Sequence, residues 1–128
     1  MKWTAPKIPP EPLTLAQAIA RVEGYYAQGP TPNRPQRNFN PGDIEYTLFA
    51  KAAGAIGSDG RFAVFASERA GFNALNELLK GPSYSNLTIQ QAVNRYAPPC
   101  ENNTRNYVSL VCKWIGHPAT ATVKEVLT

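Results

Sequence analysis

Three things are scarce in this 128-residue chain: long apolar runs, metal-ligating side chains and surplus charge. No stretch approaches the roughly 20 consecutive apolar residues that span a bilayer, so no membrane partner is expected. The opening MKWTAPKIPPEPLT has prolines where an export signal needs an apolar segment. The chain is therefore expected to carry no signal peptide of its own. One histidine, His117, and two cysteines, Cys100 and Cys112, with no Cys-x-x-Cys pair, are too few ligands for a zinc site. No metal or cofactor is expected. A Cys100–Cys112 disulfide is disfavoured too. With a helix beginning just after Cys100, Cys112 lies about three turns along it, beyond disulfide reach. The net charge of +4 comes from 13 basic and 9 acidic residues that are dispersed along the chain. In the first half only Arg34 and Arg37 are close together. Such a charge steers weakly toward acidic polymers and falls short of a dedicated nucleic-acid binder.

Proline is plentiful, with 12 residues, and it divides the chain. Residues 1–13 read as an extended proline-rich arm, and residues 14–128 as a single domain with no internal repeat. Thr14 opens a helix through the capping box T-L-A-Q. Leu15, Ala18, Ile19, Val22 and Tyr26 recur on its apolar face, which predicts an end near Tyr26, before Gly29 and Pro30. QGPTPNRPQRNFNPGD (28–43) is a long loop of the kind that carries function or is disordered. Ile44–Ala50 and Arg61–Phe65 read as two strands, with G-S-D-G turning the chain before the second. Ser67 begins a helix through Lys80, stopped by Gly81-Pro82. Thr88 begins another, to about Tyr96, with the box T-I-Q-Q. Asn102 or Asn103 caps a third, which has Tyr107, Val108, Val111 and Trp114 in a stripe and Gly116 at its end. T-V-K-E at Thr122 opens a last short helix. The pattern is α+β: mostly helical, with one small β-hairpin.

Carboxylates and aromatics carry the candidate chemistry. Glu23 falls at the edge of the first helix's apolar face. Partial desolvation there would raise its pKa toward that of a general acid, although boundary glutamates are ordinary in amphipathic helices. Asp43 and Glu101 are candidates for a second carboxylate. Asp59 is explained as a turn residue beside Gly60, and Glu45 as a solvent-facing strand residue. Tyr25, Tyr26, Tyr46, Tyr96 and Tyr107, with Asn38, Asn40, Asn102 and Asn103, gather at element ends. Rings and amides there suit a carbohydrate. Tyr26 and Tyr107 also fit a core, and Asn103 a cap. His117, in Gly-His-Pro, reads as a helix stop. The sequons at Asn86 and Asn102 read as chance matches.

Three segments, RNFNPGDIEY, DGRFAVFASERAGFNALNELL and NRYAPPCENNTRNYVSLV, follow one another as in small phage and prophage lysozyme-like proteins, and the chain resembles that family over about residues 15–116. It is more distantly similar to bacterial cell-wall glucosaminidases. The resemblance implies a lysozyme-like fold acting on peptidoglycan strands, with Glu23 at the catalytic acid position. Asp43 stands where the phage motif has Asn, as a candidate second catalytic carboxylate. Tyr96 stands where that motif usually has Trp and keeps an aromatic platform. Tyr26, Asn40, Tyr46, Tyr96 and Asn102 are then the candidate sugar-binding residues. The expected activity is that of a glucosaminidase, muramidase or lytic transglycosylase. It would be a monomer of the endolysin kind, reaching the wall by a route other than its own export signal. The alternatives are a non-catalytic virion or wall-binding protein and, suggested by charge alone, a DNA-binding helical module.

Overall fold

A computed structural model describes residues 2–127. Its elements in chain order are α1 (Leu15–Val22), α2 (Arg34–Arg37), α3 (Leu48–Ala52), β1 (Gly57–Ser58), β2 (Ala63–Val64), α4 (Glu68–Lys80), α5 (Ile89–Tyr96), α6 (Thr104–Ile115) and α7 (Val123–Val126). The fold is mostly helical, with one small antiparallel sheet that pairs Gly57 with Val64 and Ser58 with Ala63. Among the described residues no helix is long and apolar enough to cross a membrane.

Local signals set the helix starts. Thr14 and Thr88 each accept a hydrogen bond from the backbone N–H three residues on, while Gln17 and Gln91 reach back to the cap, closing two full capping boxes. Ser67, Asn103 and Thr122 cap α4, α6 and α7 by the first half of the same device. Each such cap stabilises its helix by about 1 kcal/mol. The helices then bury one face in a common core. α6 lies along α1 and α5, and α4 packs on α1 and α7. Ile19, Leu75, Leu79, Ile89, Val93 and Val111 are almost wholly withdrawn from water there. Each contributes about 1.5–3 kcal/mol by burial. The arm, residues 2–13, has no helix or strand. It is tied down by Leu13, whose N–H donates to the Trp114 carbonyl (2.8 Å), and by Gln28, which donates to the Pro6 carbonyl.

The chain departs from the expected elements in three places. α1 stops at Val22 rather than Tyr26. Gly24, at φ +92°, turns the chain left-handed, and the N–H groups of Gly24 and Tyr25 close back on the Arg21 and Ala20 carbonyls. That is a Schellman stop, a conformation Gly reaches without a Cβ penalty. Tyr25 and Tyr26 therefore do not continue the helical stripe. They pack edge-on, ring centres 5.4 Å apart, in a small cluster with Ala20 and Phe72.

The hairpin is also displaced. Of the expected strand Ile44–Ala50, only Glu45 keeps a strand-like pairing, with Phe62. Thr47 instead caps α3 by accepting from the Ala50 N–H, and the following L-F-A-K-A favours a helix over a strand. β2 finds its partner in Gly57–Ser58, and Asp59 fixes the turn by accepting from the Arg61 and Phe62 N–H groups.

The long loop is folded, and α2 lies within it. Asn33 and Gln36 form a capping box, and Gln36 then donates to the Tyr25 and Ala27 carbonyls at 2.9 and 2.8 Å. Gly71, in the middle of α4, lets the loop come close. A Cβ there would stand 1.9 Å from the Phe39 carbonyl oxygen and 2.7 Å from the Pro41 ring.

Candidate active site

The stop at Gly24 puts Glu23 at the C-terminal cap of α1, where it faces an open cleft of about 830 Å³. One wall is helical: Tyr96 closes α5, and Ala97, Pro98, Glu101 and Asn102 follow it. The other is loop and hairpin, with Arg34, Asp43, Glu45, Arg61 and Phe62.

Glu23 is half-buried, and Tyr107 of α6 donates its hydroxyl to Glu23 Oε2 at 2.9 Å. Burial raises the carboxyl pKa above its ordinary value. The Tyr107 hydrogen bond pulls it back, the Asp43 charge raises it, and Arg34 lowers it. Glu23 has no cation in salt-bridge contact among the described residues. Tyr107 is itself buried, and burial together with the Glu23 charge holds its phenol protonated far above the ordinary range. The phenol therefore serves Glu23 only as a donor.

Asp43 is arranged differently. Its backbone is left-handed, at φ 49°, and both of its oxygens are taken by Arg34, Nε to Oδ1 at 3.0 Å and Nη2 to Oδ2 at 2.5 Å. This forked pair is the strongest geometry open to the two groups. Arg34 also lies over the Phe62 ring, 3.8 Å from its centre, with Arg61 4.9 Å from that centre. Arg61 in turn pairs with Glu45 at 2.6 Å, in an exposed bridge worth little to stability.

Of the expected sugar-binding residues, the cleft gathers Tyr96 and Asn102 but not Tyr26, Asn40 or Tyr46. Tyr96 hydrogen-bonds by its hydroxyl to the Gly42 carbonyl, so its polar end braces the loop and only its flank is presented. Tyr26 is buried beyond the Schellman turn and borders a different surface, beside Thr14 and Phe72. Asn40 is fully buried. Its Nδ2 donates to the Ile44 and Ala63 carbonyls at 2.9 and 3.0 Å, and its Oδ1 accepts from the Ile44 N–H at 3.0 Å. The amide is fully occupied in holding the loop to β2 and has nothing left for a sugar. Asn38 similarly bonds Asp59 (2.9 Å). Tyr46 is part-exposed on the hairpin side, outside the cleft lining. Glu45 is exposed, as expected, and its exposed side also borders the open cleft.

Sequence reasoning missed two members of the site. Tyr107 lies in the apolar stripe of α6 and reads as core, which it also is. Nothing local indicates that its hydroxyl meets a carboxylate 84 residues away. Arg34 reads as loop charge, and the nine-residue spacing to Asp43 carries no pattern of its own.

Cys100 and Cys112 are free thiols. No group of three or more His, Cys, Asp or Glu side chains among the described residues could hold a metal ion. No family model, curated protein or solved structure matches the chain.

Proposed function

We propose that this chain cleaves glycosidic bonds of peptidoglycan, with Glu23 as the general acid. The observation that carries the reading is Glu23 itself: a half-buried carboxyl with a raised pKa, its side chain bonded to the Tyr107 phenol, facing an open cleft of about 830 Å³. A carboxyl so placed keeps its proton at a pH where exposed carboxylates have lost theirs, and can give it to a glycosidic oxygen. Supporting it are the Tyr96 flank, the Asn102 amide and the resemblance of three ordered segments to lysozyme-like phage proteins.

In this reaction Glu23 Oε–H protonates the leaving oxygen, and the C1–O bond breaks toward an oxocarbenium-like centre. Asp43 contributes its negative charge to that centre but is not the nucleophile, because attack through either oxygen would strip Arg34 of its partner. The substrate's own acetamido oxygen closes on C1 instead, as in glycosidases that lack a second free carboxylate. Water then attacks C1 and the acetamido O–C1 bond breaks, while Glu23, now ionised, takes the water's proton and is restored.

A second reading, a wall-binding protein without turnover, is favoured by the full engagement of Asp43 by Arg34. Release of soluble muropeptides from purified peptidoglycan separates the two. The wild-type chain should release them, and Glu23→Gln should lower the rate by about a hundredfold or more while still pelleting with the wall. Pelleting without release by the wild-type chain would establish the second reading. Undiminished release by the variant would remove Glu23 from the chemistry.

A further inference from the structure

Beside the cleft lies a second groove, of about 460 Å³, between α5 and the start of α6. Asn102 lines both, so the two surfaces are continuous across that residue. Their electrostatics are opposite. The cleft carries four carboxylates, Glu23, Asp43, Glu45 and Glu101, against the guanidinium groups of Arg34 and Arg61. The groove is lined by no carboxylate. Its one charged group is Arg105, which forms no ion pair among the described residues, and the rest is mainly amide and hydroxyl. Asn102 donates its Nδ2 to the Pro98 carbonyl (3.4 Å), and two further amides are likewise half-used. Asn94 donates its Nδ2 to the Gln90 carbonyl (2.7 Å), and Asn103 accepts from the Asn106 N–H (3.2 Å). The Asn94 Oδ1 and the Asn103 Nδ2 thus remain as an acceptor and a donor of the kind that pairs with peptide N–H and C=O groups.

We propose that this groove binds the acidic stem peptide carried by the muramic acid residues of peptidoglycan, an inference that rests on the glycan reading of the cleft. A strand in the cleft presents near-neutral sugars to the acid, while its peptide branches leave sideways with free carboxylates. The cleft's own carboxylates repel such groups. Across Asn102 the lining changes sign, and there Arg105 can take a carboxylate and the Asn94 and Asn103 amides can take the peptide backbone. The groove therefore selects peptide-substituted over bare glycan, and sets which bond of the strand lies over Glu23.

Binding is measured in the Glu23→Gln background, where ligand is not consumed, with three probes: a peptide-free N-acetylglucosamine tetrasaccharide, a muropeptide tetrasaccharide bearing an acidic tripeptide, and the free tripeptide. The stem is expected to tighten binding about tenfold over the bare tetrasaccharide, the worth of one good charge-assisted contact. Arg105→Glu should abolish that gain, Arg105→Ala should remove most of it, and both should leave the bare tetrasaccharide and the thermal midpoint unchanged. If the tetrasaccharide binds and the stem adds nothing, or the gain survives Arg105→Glu, the groove assignment is wrong while the cleft reading stands. If the free tripeptide binds through Arg105 and the tetrasaccharide does not bind, the cleft reading falls and the groove remains a peptide site. Binding of none of the three ends both. Competition by inorganic phosphate as strong as that by the tripeptide also overturns the proposal, because the groove is then a generic anion site.

Discussion

The two walls of the cleft face the same space but are held by different forces. On the helical side, α1, α4, α5 and α6 share a core of fully buried aliphatic side chains, among them Leu75, Leu79, Val93 and Val111. On the other side the fully buried apolar cluster is only Ala50, Ala63, Phe65 and Ala74, and the segment is held largely by amide side chains bonded to backbone. Asn33 reaches Gly24, Gln36 reaches Tyr25 and Ala27, and Asn40 reaches Ile44 and Ala63. The difference extends to the carboxylates each wall supplies. Glu23, on the apolar wall, is half-buried and has no cation in salt-bridge contact among the described residues. Asp43, on the hydrogen-bonded wall, is clamped by Arg34. A wall built by burial raises the pKa of its carboxyl, and a wall built by hydrogen bonds and ion pairs seats its carboxylate on a guanidinium.

The largest expected effect breaks the comparison by exchanging the forces. Asn40→Ala takes the Asn40 bond from the Ala63 carbonyl and the Ile44 N–H, at about 1–3 kcal/mol each, while the Ile44 carbonyl keeps the Ala63 N–H. Leu79→Ala opens a cavity costing about 2–5 kcal/mol. Both should lower stability to denaturant, but amide hydrogen exchange should tell them apart. Asn40→Ala should speed exchange first at Ile44, Ala63 and Phe65 on the loop–hairpin wall, whereas Leu79→Ala should act across the helices. Equal, global acceleration in both would show that the two walls are one cooperative unit.

A smaller effect tests whether Glu23 is held dry. Its pKa is raised in the folded chain, so the protonated form is the one that folding favours. Its contribution to stability is fully present below the ordinary carboxyl value of 4.5 and is lost as pH rises through the folded value. Thermal melts across that window should therefore show the wild type losing ground to Glu23→Gln as pH increases. A pH-independent gap between the two would mean the carboxyl is solvated.

The smallest effect is a pair of opposite shifts in the pH–rate profile of muropeptide release. Activity requires protonated Glu23 and falls as pH rises through its pKa. Tyr107→Phe removes the bond that lowers that pKa, so the falling limb should move to higher pH. Asp43→Asn removes a charge that raises it and frees Arg34 to lower it further, so the limb should move to lower pH. Rates at the optimum should change by less than about tenfold. Shifts of the same sign would refute the assignment of Glu23 as the titrating group.

What could be read in advance follows the range of each interaction. The starts of α1, α4, α5, α6 and α7 were legible because a cap is an exchange between residues three apart, and Thr14–Gln17 or Thr88–Gln91 show it in the letters themselves. The stop at Gly24 was written just as locally. There the apolar periodicity running on to Tyr26 misled, since two tyrosines buried after a turn look like two more helical positions. Likewise the β-prone letters of IEYTLFA outweighed the Thr47 cap.

By itself, then, the sequence determined the starts of α1, α4, α5, α6 and α7, the mostly helical α+β class, the turn at Asp59 and the candidacy of Glu23, because caps, periodicity and turn residues act over a few positions. Only the tertiary structure decided that Asn40 is a buried brace rather than a sugar contact, that Arg34 holds Asp43, and that the Tyr107 hydroxyl meets Glu23. The physical reason is that desolvation and charge pairing depend on which distant segments share a volume, and that is fixed only when the whole core closes.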